Sequence, residues 1–333
     1  MDAGLKRELE AKVYAGERLT RSDGIALQES DDLAWLGRLA HHKRTEMAGD
    51  RALFAVNRRL DLAEADELTG ESAGGRLADQ LTEVHIADAA LPGRPWQFYP
   101  DALRRLRAAL PGVGLRGFGA LEIDSLEKAS GLPAGDILDQ LMSAGLDALS
   151  GDDGGAGDDQ AAENDQSWQS WSRVHRLAHE KGMKTPASWR YGHLEGPEQR
   201  VDHLLRLREL QDETGGFAAF VPVRRKDGEA VAPAASLKIF AVSRLLLDNV
   251  PHIQASSATH QLSVAQLALN FGADELDVPA AGDKIQDDGD LLDLIWDAGF
   301  RPVRRDIRYA VVRTYDAAPS FTERRSEPQQ VWA

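Results

Sequence analysis

The stretch from Lys184 to Pro222 constrains the fold more than any other part of the chain. A short apolar run from Thr185 to Tyr191 precedes an amphipathic segment from Pro197 to Thr214. A Gly215-Gly216 pair and a second apolar run, Phe217 to Pro222, follow. In the middle segment Val201, Leu204, Leu205, Leu207 and Leu210 recur at helical spacing, while Arg200, Asp202, Arg206, Arg208, Glu209, Asp212 and Glu213 occupy the opposite side. Pro197 suits a first helical turn, where its missing N–H is not needed, and the glycine pair suits the helix stop. This is the pattern of a βαβ unit. Two strands joined through a helix run parallel and are buried on both faces, so the segment belongs to an α/β sheet or barrel. The polar cluster from Trp189 to Glu195 then sits at the C-terminal end of a parallel strand, where such folds place their ligands.

The same alternation runs through the chain. Gly4 to Ala15 and Gly24 to Glu46 read as N-terminal helices, the second entered through Thr20-Arg21-Ser22-Asp23, the spacing of a capping box. Strands are expected at 52–57, 81–87, 114–119, 146–150, 185–191, 217–222, 252–255 and 274–278, with helices at 101–110, 133–144, 168–181, 197–214, 234–247, 261–270 and 290–298. Eight strands in this arrangement predict a closed (β/α)8 TIM-type barrel with its pocket at the C-terminal mouth. A chain of 333 residues, 42% hydrophobic, can bury one such core, so residues 1–315 are read as a single domain. Residues 316–333, rich in Pro, Ser and charge, are read as a flexible tail.

Charge and cysteine content narrow the chemistry. The net charge of −15, from 54 acidic and 39 basic residues, repels a phosphate backbone and argues against nucleic acid as a partner. No apolar run is long enough to span a membrane and the start of the chain is a charged helix, which predicts a cytoplasmic protein. The absence of cysteine removes disulfides, thiolate zinc sites, cysteine nucleophiles and cysteine-held clusters. The acidic loop Gly151 to Gln166 lacks the alternating spacing of a calcium loop and reads as solvated chain, and the carboxylates at 61–67 show no ordered ligand spacing, so no metal site is assigned. His175 and His179 lie one helical turn apart without an intervening HExxH glutamate and read as ordinary helix-face residues.

Several segments carry a family resemblance: YGHLE at 191–195, RVDHLLRLRELQDETGGF at 200–217, LTRSDGIALQESDDLAWLGRLA at 19–40, WSRVHRLAHEKGMKTP at 171–186 and DLLDLIWDAGFRPVRRDIRYAVVRTYD at 290–316. Together they resemble aminofutalosine synthase, a radical S-adenosylmethionine (SAM) enzyme of the futalosine route to menaquinone. The resemblance implies a barrel of the radical-SAM kind. It also implies a 4Fe-4S cluster held by CxxxCxxC in the loop after the first strand, which here reads RRLDLAEADELTGESAGGRLADQ. On that basis no cluster is expected. The segment 191–195 resembles one lying along the SAM pocket, but without iron the methionyl end of SAM loses its strongest partner, and its binding is expected to be weak or absent. In the relatives a glycine turn after the second strand approaches SAM; Asp88-Ala89-Ala90 stands there in this chain. Leu121-Glu122-Ile123 resembles the family's Thr-Glu-Ile and would leave Glu122 at a strand end.

The expected mouth therefore collects His193 and Glu122 as acid and base, because a histidine titrates near neutrality and a buried carboxylate is raised toward it. Arg190, Tyr191, Arg224 and Arg225, with Asp88 and His260, are the expected substrate contacts, the guanidiniums pairing with a carboxylate or phosphate. Asn57, Ser256 and Asp277 also fall at strand ends. Three readings compete. In the preferred one the barrel is a cluster-free enzyme performing polar lyase, cyclase or isomerase chemistry on a small anionic metabolite. The others are a catalytically dead paralogue that binds a ligand or an active enzyme to regulate it, and an enzyme using SAM without a cluster.

Overall fold

The computed structural model describes residues 1–62, 81–87, 93–151, 165–192, 195–225, 231–279 and 288–315. Three helices open the chain: α1 (Ala3–Tyr14), α2 (Arg21–Glu29) and α3 (Leu33–Ala48). The expected single helix over 24–46 is split at Ser30-Asp31-Asp32, where Asp32 caps α3 by accepting the Trp35 N–H at 3.1 Å. The expected capping box is formed, with the Asp23 carboxylate accepting the Thr20 N–H at 2.9 Å and the Thr20 hydroxyl oxygen accepting the Asp23 N–H at 3.3 Å.

The barrel follows. Its first strand is broken into β1 (Arg51–Phe54) and β2 (Asn57–Asp61), and the next elements are β3 (Glu83–Ala87), α4 (Phe98–Ala109), β4 (Gly114–Gly117), α5 (Ala120–Ser130), α6 (Ala134–Ser143) and β5 (Ala148–Leu149). The second half runs α7 (Asp165–Glu180), β6 (Thr185–Tyr191), α8 (Pro197–Thr214), β7 (Phe217–Arg224), α9 (Pro233–Leu246), β8 (His252–Ser256), α10 (Leu262–Ala268), β9 (Glu275–Asp277) and α11 (Asp288–Asp297). The strands pair in parallel in the order β2-β3-β4-β5 and β6-β7-β8-β9-β1. The remaining seam, between β5 and β6, is bridged by the Ser188 N–H donating to the Gly151 carbonyl at 3.2 Å. The result is a (β/α)8 barrel of the radical-SAM kind, with α2 and α3 packed outside it against α8 and α9, and α1 against α3.

Two strands lie outside the expected set. β10 (Arg301–Arg305) pairs in parallel with the free edge of β1, and β11 (Val311–Thr314) returns antiparallel to it. β1 thus has β9 on one edge and β10 on the other, while β2, its continuation, pairs with β3. The turn after β10 crosses the N-terminal end of the barrel. Ile307 seats on Gly114 at the start of β4, where an added Cβ would lie 2.5 Å from the Ile307 Cβ, and Tyr309 stacks on His252 at the start of β8 with ring centroids 4.6 Å apart. Together they form the floor of the barrel.

Among the described residues no helix is long and apolar enough to cross a membrane.

Candidate functional site

Strand alternation decides which side chains enter the lumen. Trp189 points outward, stacked on His203 of α8 at 5.2 Å, so Ser188 and Arg190 face inward. On β3, Glu83 reaches Arg305 across the floor, which sets Glu83 and His85 inward. Their registered partners on β4, Gly114 and Arg116, share that face. On β2 the registered partners of Glu83 and His85 are Asn57 and Arg59.

The deepest layer is a buried charge network. Arg305, fully buried, bonds Glu83 through Nη1 and Glu275 through Nε at 3.0 Å, and its guanidinium lies 4.1 Å from the centroid of the Tyr309 ring. Gln254 donates to Glu275 Oε1 at 2.7 Å and the Tyr309 hydroxyl to Oε2 at 2.9 Å. The second oxygen of Glu83 is shared by His85 Nε2 at 2.9 Å and Arg116 Nη2 at 3.1 Å. Beside this, Asp277 accepts from Asn57 Nδ2 and, at 2.6 Å, from the Ser256 hydroxyl. Such a layer excludes water from below and leaves the C-terminal mouth as the approach to the lumen. Inward side chains in a filled barrel are buried. Here the His85 side chain is 29% exposed, and Arg190, Val221 and Val223 are half-buried, so the upper lumen is open.

The expected site residues are distributed differently. His193 and Asp88 lie outside the described residues. Glu122 is not at a strand end: β4 stops at Gly117, Phe118 turns with φ +57°, and Glu122 is the third residue of α5, its carboxylate accepting the Gly119 N–H at 2.7 Å. A carboxylate engaged as a helix cap is not poised as the base that a strand-end placement implied. Tyr191 and His260 come together behind the sheet, the Tyr191 hydroxyl 2.7 Å from His260 Nε2. His260 Nδ1 faces the Ser256 carbonyl at 3.2 Å, so it carries the proton and Nε2 accepts from the tyrosine. Burial pushes His260 down to about 4 and Tyr191 up to about 12, so both are neutral at pH 7 and lock β6 to the β8–α10 turn. Arg224 is held by the Thr259 carbonyl, which accepts from Nε at 3.2 Å, and the Arg225 amide N–H donates to the Tyr191 carbonyl at 3.0 Å. Of the expected cations, Arg190 is placed by alternation on the lumen face and Arg224 on the opposite one, while Arg225 lies just past the end of β7. Residue-type reasoning missed His85, Arg116 and Arg59; for Arg59 and His85 the signal was period-2 spacing in NRRLD and EVHIA, whereas Arg116 in GLRG is aligned with them only by strand register.

His175 and His179 are helix-face residues, and the face they occupy is the one that meets the barrel. His175 is fully buried and bonds the Thr185 hydroxyl at 2.9 Å, and His179 bonds the same hydroxyl at 2.8 Å, so both pack α7 against the barrel wall.

A family model for the CofH/MqnC C-terminal region matches residues 215–317. Over 389 aligned positions, taking in 99% of this chain and 100% of the relative, the chain is 46% identical to the aminodeoxyfutalosine synthase of Streptomyces coelicolor. It is 33% identical to the aminodeoxyfutalosine synthase of Thermus thermophilus, across 92% of this chain and 95% of that relative. This chain belongs to the aminodeoxyfutalosine synthase family. Among solved structures, the FeFe-hydrogenase maturase HydG from Carboxydothermus hydrogenoformans superposes with a TM-score of 0.66 at 12% identity, covering 92% of this chain and 80% of that one. Methylornithine synthase (PylB) superposes at 0.62 with 16% identity, covering 89% and 97%. Both agree with the barrel described above.

Family membership corrects the functional expectation. The family is one of biosynthetic enzymes, and a full-length relationship at 46% identity overturns the assignment of polar, cluster-free chemistry. The lack of cysteine is therefore no ground for excluding a 4Fe-4S cluster or SAM from the reaction that the family performs. What it does establish is local: with no cysteine in its 333 residues, this aminodeoxyfutalosine synthase homologue offers no thiolate of its own. Nor do the described residues contain a group of three or more His, Asp or Glu able to hold a metal ion. The residues present do not fit the cluster. The 389 aligned positions exceed the 333 residues of the chain by 56, so at least that many aligned positions are empty in this member.

Proposed function

We propose that this chain serves the synthesis of aminodeoxyfutalosine, the reaction for which its relatives in Streptomyces coelicolor and Thermus thermophilus are named, and that its contribution is to bind and orient a small molecule in the open upper lumen. The observation that carries the proposal is the 46% identity extending over 99% of the chain. The partner is a small molecule rather than nucleic acid, a reading supported by the net charge of −15 and by a polar lumen entered at the mouth.

The test has two arms. Purified chain is titrated with aminodeoxyfutalosine by calorimetry, and the gene is expressed in a strain lacking its own aminodeoxyfutalosine synthase, with the product followed by mass spectrometry. Saturable binding together with restored product is the expected result. Absence of both overturns the proposal.

A further inference from the structure

The outer face of β6 and the helices that cover it carry a connected row of oxidisable rings. Trp189 and Tyr191 are two residues apart on one strand, so both leave the lumen on the same side, with ring centroids 5.9 Å apart. Trp189 stacks on His203 of α8 at 5.2 Å with 24° between the planes, and His203 also meets Trp168 of α7, edge-on at 5.9 Å. One helical turn further along α7, Trp171 stacks on Trp168 at 5.2 Å. Every step falls within the roughly 4.5–7 Å range of rings in contact, so an electron crosses each one without an intervening gap.

The two ends of the row differ. Tyr191, 1% exposed, lies at the C-terminal end of β6, level with the barrel mouth, and its hydroxyl donates to His260 Nε2 at 2.7 Å. Trp168 is half-buried in the first turns of α7 and reaches solvent. Packing alone asks for apolar volume, which Leu or Phe supplies with no polar edge to satisfy; here phenol, indole and imidazole follow one another in a line. Because the chain has no cysteine, its indoles and phenols are its readiest one-electron donors.

We infer that this row conducts oxidising equivalents from the barrel mouth to the protein surface, with Tyr191 as the entry, Trp189 as the relay, His203 as the bridge and Trp168 as the exit. The oxidant is an organic radical or another one-electron acceptor at the mouth. Tyr191 gives it one electron and passes its phenolic proton to His260 Nε2, leaving a tyrosyl radical and an imidazolium. Trp189 then gives one electron to the tyrosyl radical while His260 returns the proton, which restores Tyr191. Trp168 reduces the Trp189 radical cation across the His203 ring, and a reductant of the ascorbate or thiol class in solution restores Trp168. An oxidant that misses its substrate is thereby discharged at the surface instead of on the side chains of the lumen. The inference goes beyond the proposed function and holds whichever reaction the chain serves.

The test starts the oxidation at the mouth. In a chain without cysteine, Arg190→Cys provides a single attachment point for a ruthenium polypyridyl photosensitiser on the lumen face, one residue from Tyr191. Flash photolysis of the full chain with hexaammineruthenium as quencher generates the oxidant, transient absorption follows the tyrosyl and tryptophanyl bands, and peptide mass spectrometry after prolonged illumination locates the oxidised residues. The tyrosyl band should give way to a tryptophanyl band, with oxidation collecting on Trp168. Adding Trp189→Phe should leave a tyrosyl band that persists, with the oxidation of Trp168 lost. Adding Trp168→Phe, at a half-buried position, should keep the conversion to a tryptophanyl band but move the stable oxidation product back to Trp189. Oxidation of Trp168 at the same level with Trp189→Phe, an unchanged tryptophanyl band with Tyr191→Phe, or a tyrosyl band that decays with no tryptophanyl band following would each overturn the assignment.

Discussion

Replacing Asp274 by Asn should remove a large part of the protein's stability. Asp274 and Arg244, the latter on α9, are both fully buried. Oδ1 of Asp274 accepts from Arg244 Nη2 at 2.6 Å and from the Ile253 N–H at 2.7 Å, and Oδ2 accepts from His252 Nδ1 at 2.6 Å. Burial pushes the Asp274 carboxyl up, but the Arg244 guanidinium, His252 and the Ile253 amide outweigh it and hold the group below the ordinary aspartate value of 3.8. An asparagine keeps the shape and one acceptor, so Ile253 stays satisfied. Arg244 loses its counter-charge and keeps neutral partners such as the carbonyls of Gly272 at 2.8 Å and Val250 at 3.2 Å. Breaking a buried pair from one side costs ~3–5 kcal/mol, a large share of a typical stability of ~5–15 kcal/mol. Urea denaturation at pH 7 should show that loss. The pH dependence has a definite sign. A carboxylate with a depressed folded pKa contributes stability above its unfolded value and loses it as pH falls through the folded one. The gap between native protein and variant should therefore narrow between pH 5 and pH 3. A loss below ~1 kcal/mol at pH 7, well under the range for a broken buried pair, or a gap that stays constant down to pH 3, refutes the reasoning.

Burial pushes His179 and His260 down to about 4 and His203 to about 3, against an ordinary value of 6.5. These groups stay neutral in the folded protein while the unfolded chain protonates, so stability should fall from pH 7 to pH 5 by up to ~1.4 kcal/mol per pH unit for each; His203→Gln should flatten the profile, and an already flat native profile contradicts it. Tyr191→Phe leaves His260 Nε2 without its donor and should cost ~1–3 kcal/mol in urea denaturation; no measurable cost would mean that the pair is not formed in solution. Gly114→Ala drives a methyl into Ile307 and should destabilise by ~1–3 kcal/mol, with a lower thermal midpoint; an unchanged midpoint would place the turn after β10 elsewhere than under the barrel.

Much of the barrel is legible in the sequence because its helices carry apolar faces at regular spacing and its turns carry glycine and proline. The unit over 185–224 is the clearest case: Pro197 starts α8, Gly215 in the left-handed region at φ +58° ends it, and both flanking strands begin where the apolar runs begin. Glu122 was misplaced because Leu121-Glu122-Ile123 carries no local mark separating a strand end from a first helical turn; the decision is made by Phe118, whose positive φ ends β4 early. The last two strands were missed for another reason. The segment from Arg301 to Thr314 is dense in arginine and carries no long apolar run, yet Arg305 is fully buried because it is met by Glu275 of β9 and by Glu83, 222 residues away in the chain. The same holds for the lumen row: each of Arg59, His85 and Arg116 looks like a solvated residue until strand register aligns them.

The floor also has a bearing on synthesis. Glu83 has a cation of its own half, Arg116, but the second arginine that binds it, Arg305, is 222 residues further along the chain. At a ribosomal rate of ~5–20 residues per second, the first half of the barrel waits roughly 10–45 s before that second guanidinium is made. During that interval one oxygen of the Glu83 carboxylate lacks its final donor, so enclosing it carries a cost until β10 arrives. The floor is therefore sealed later than the strands it covers.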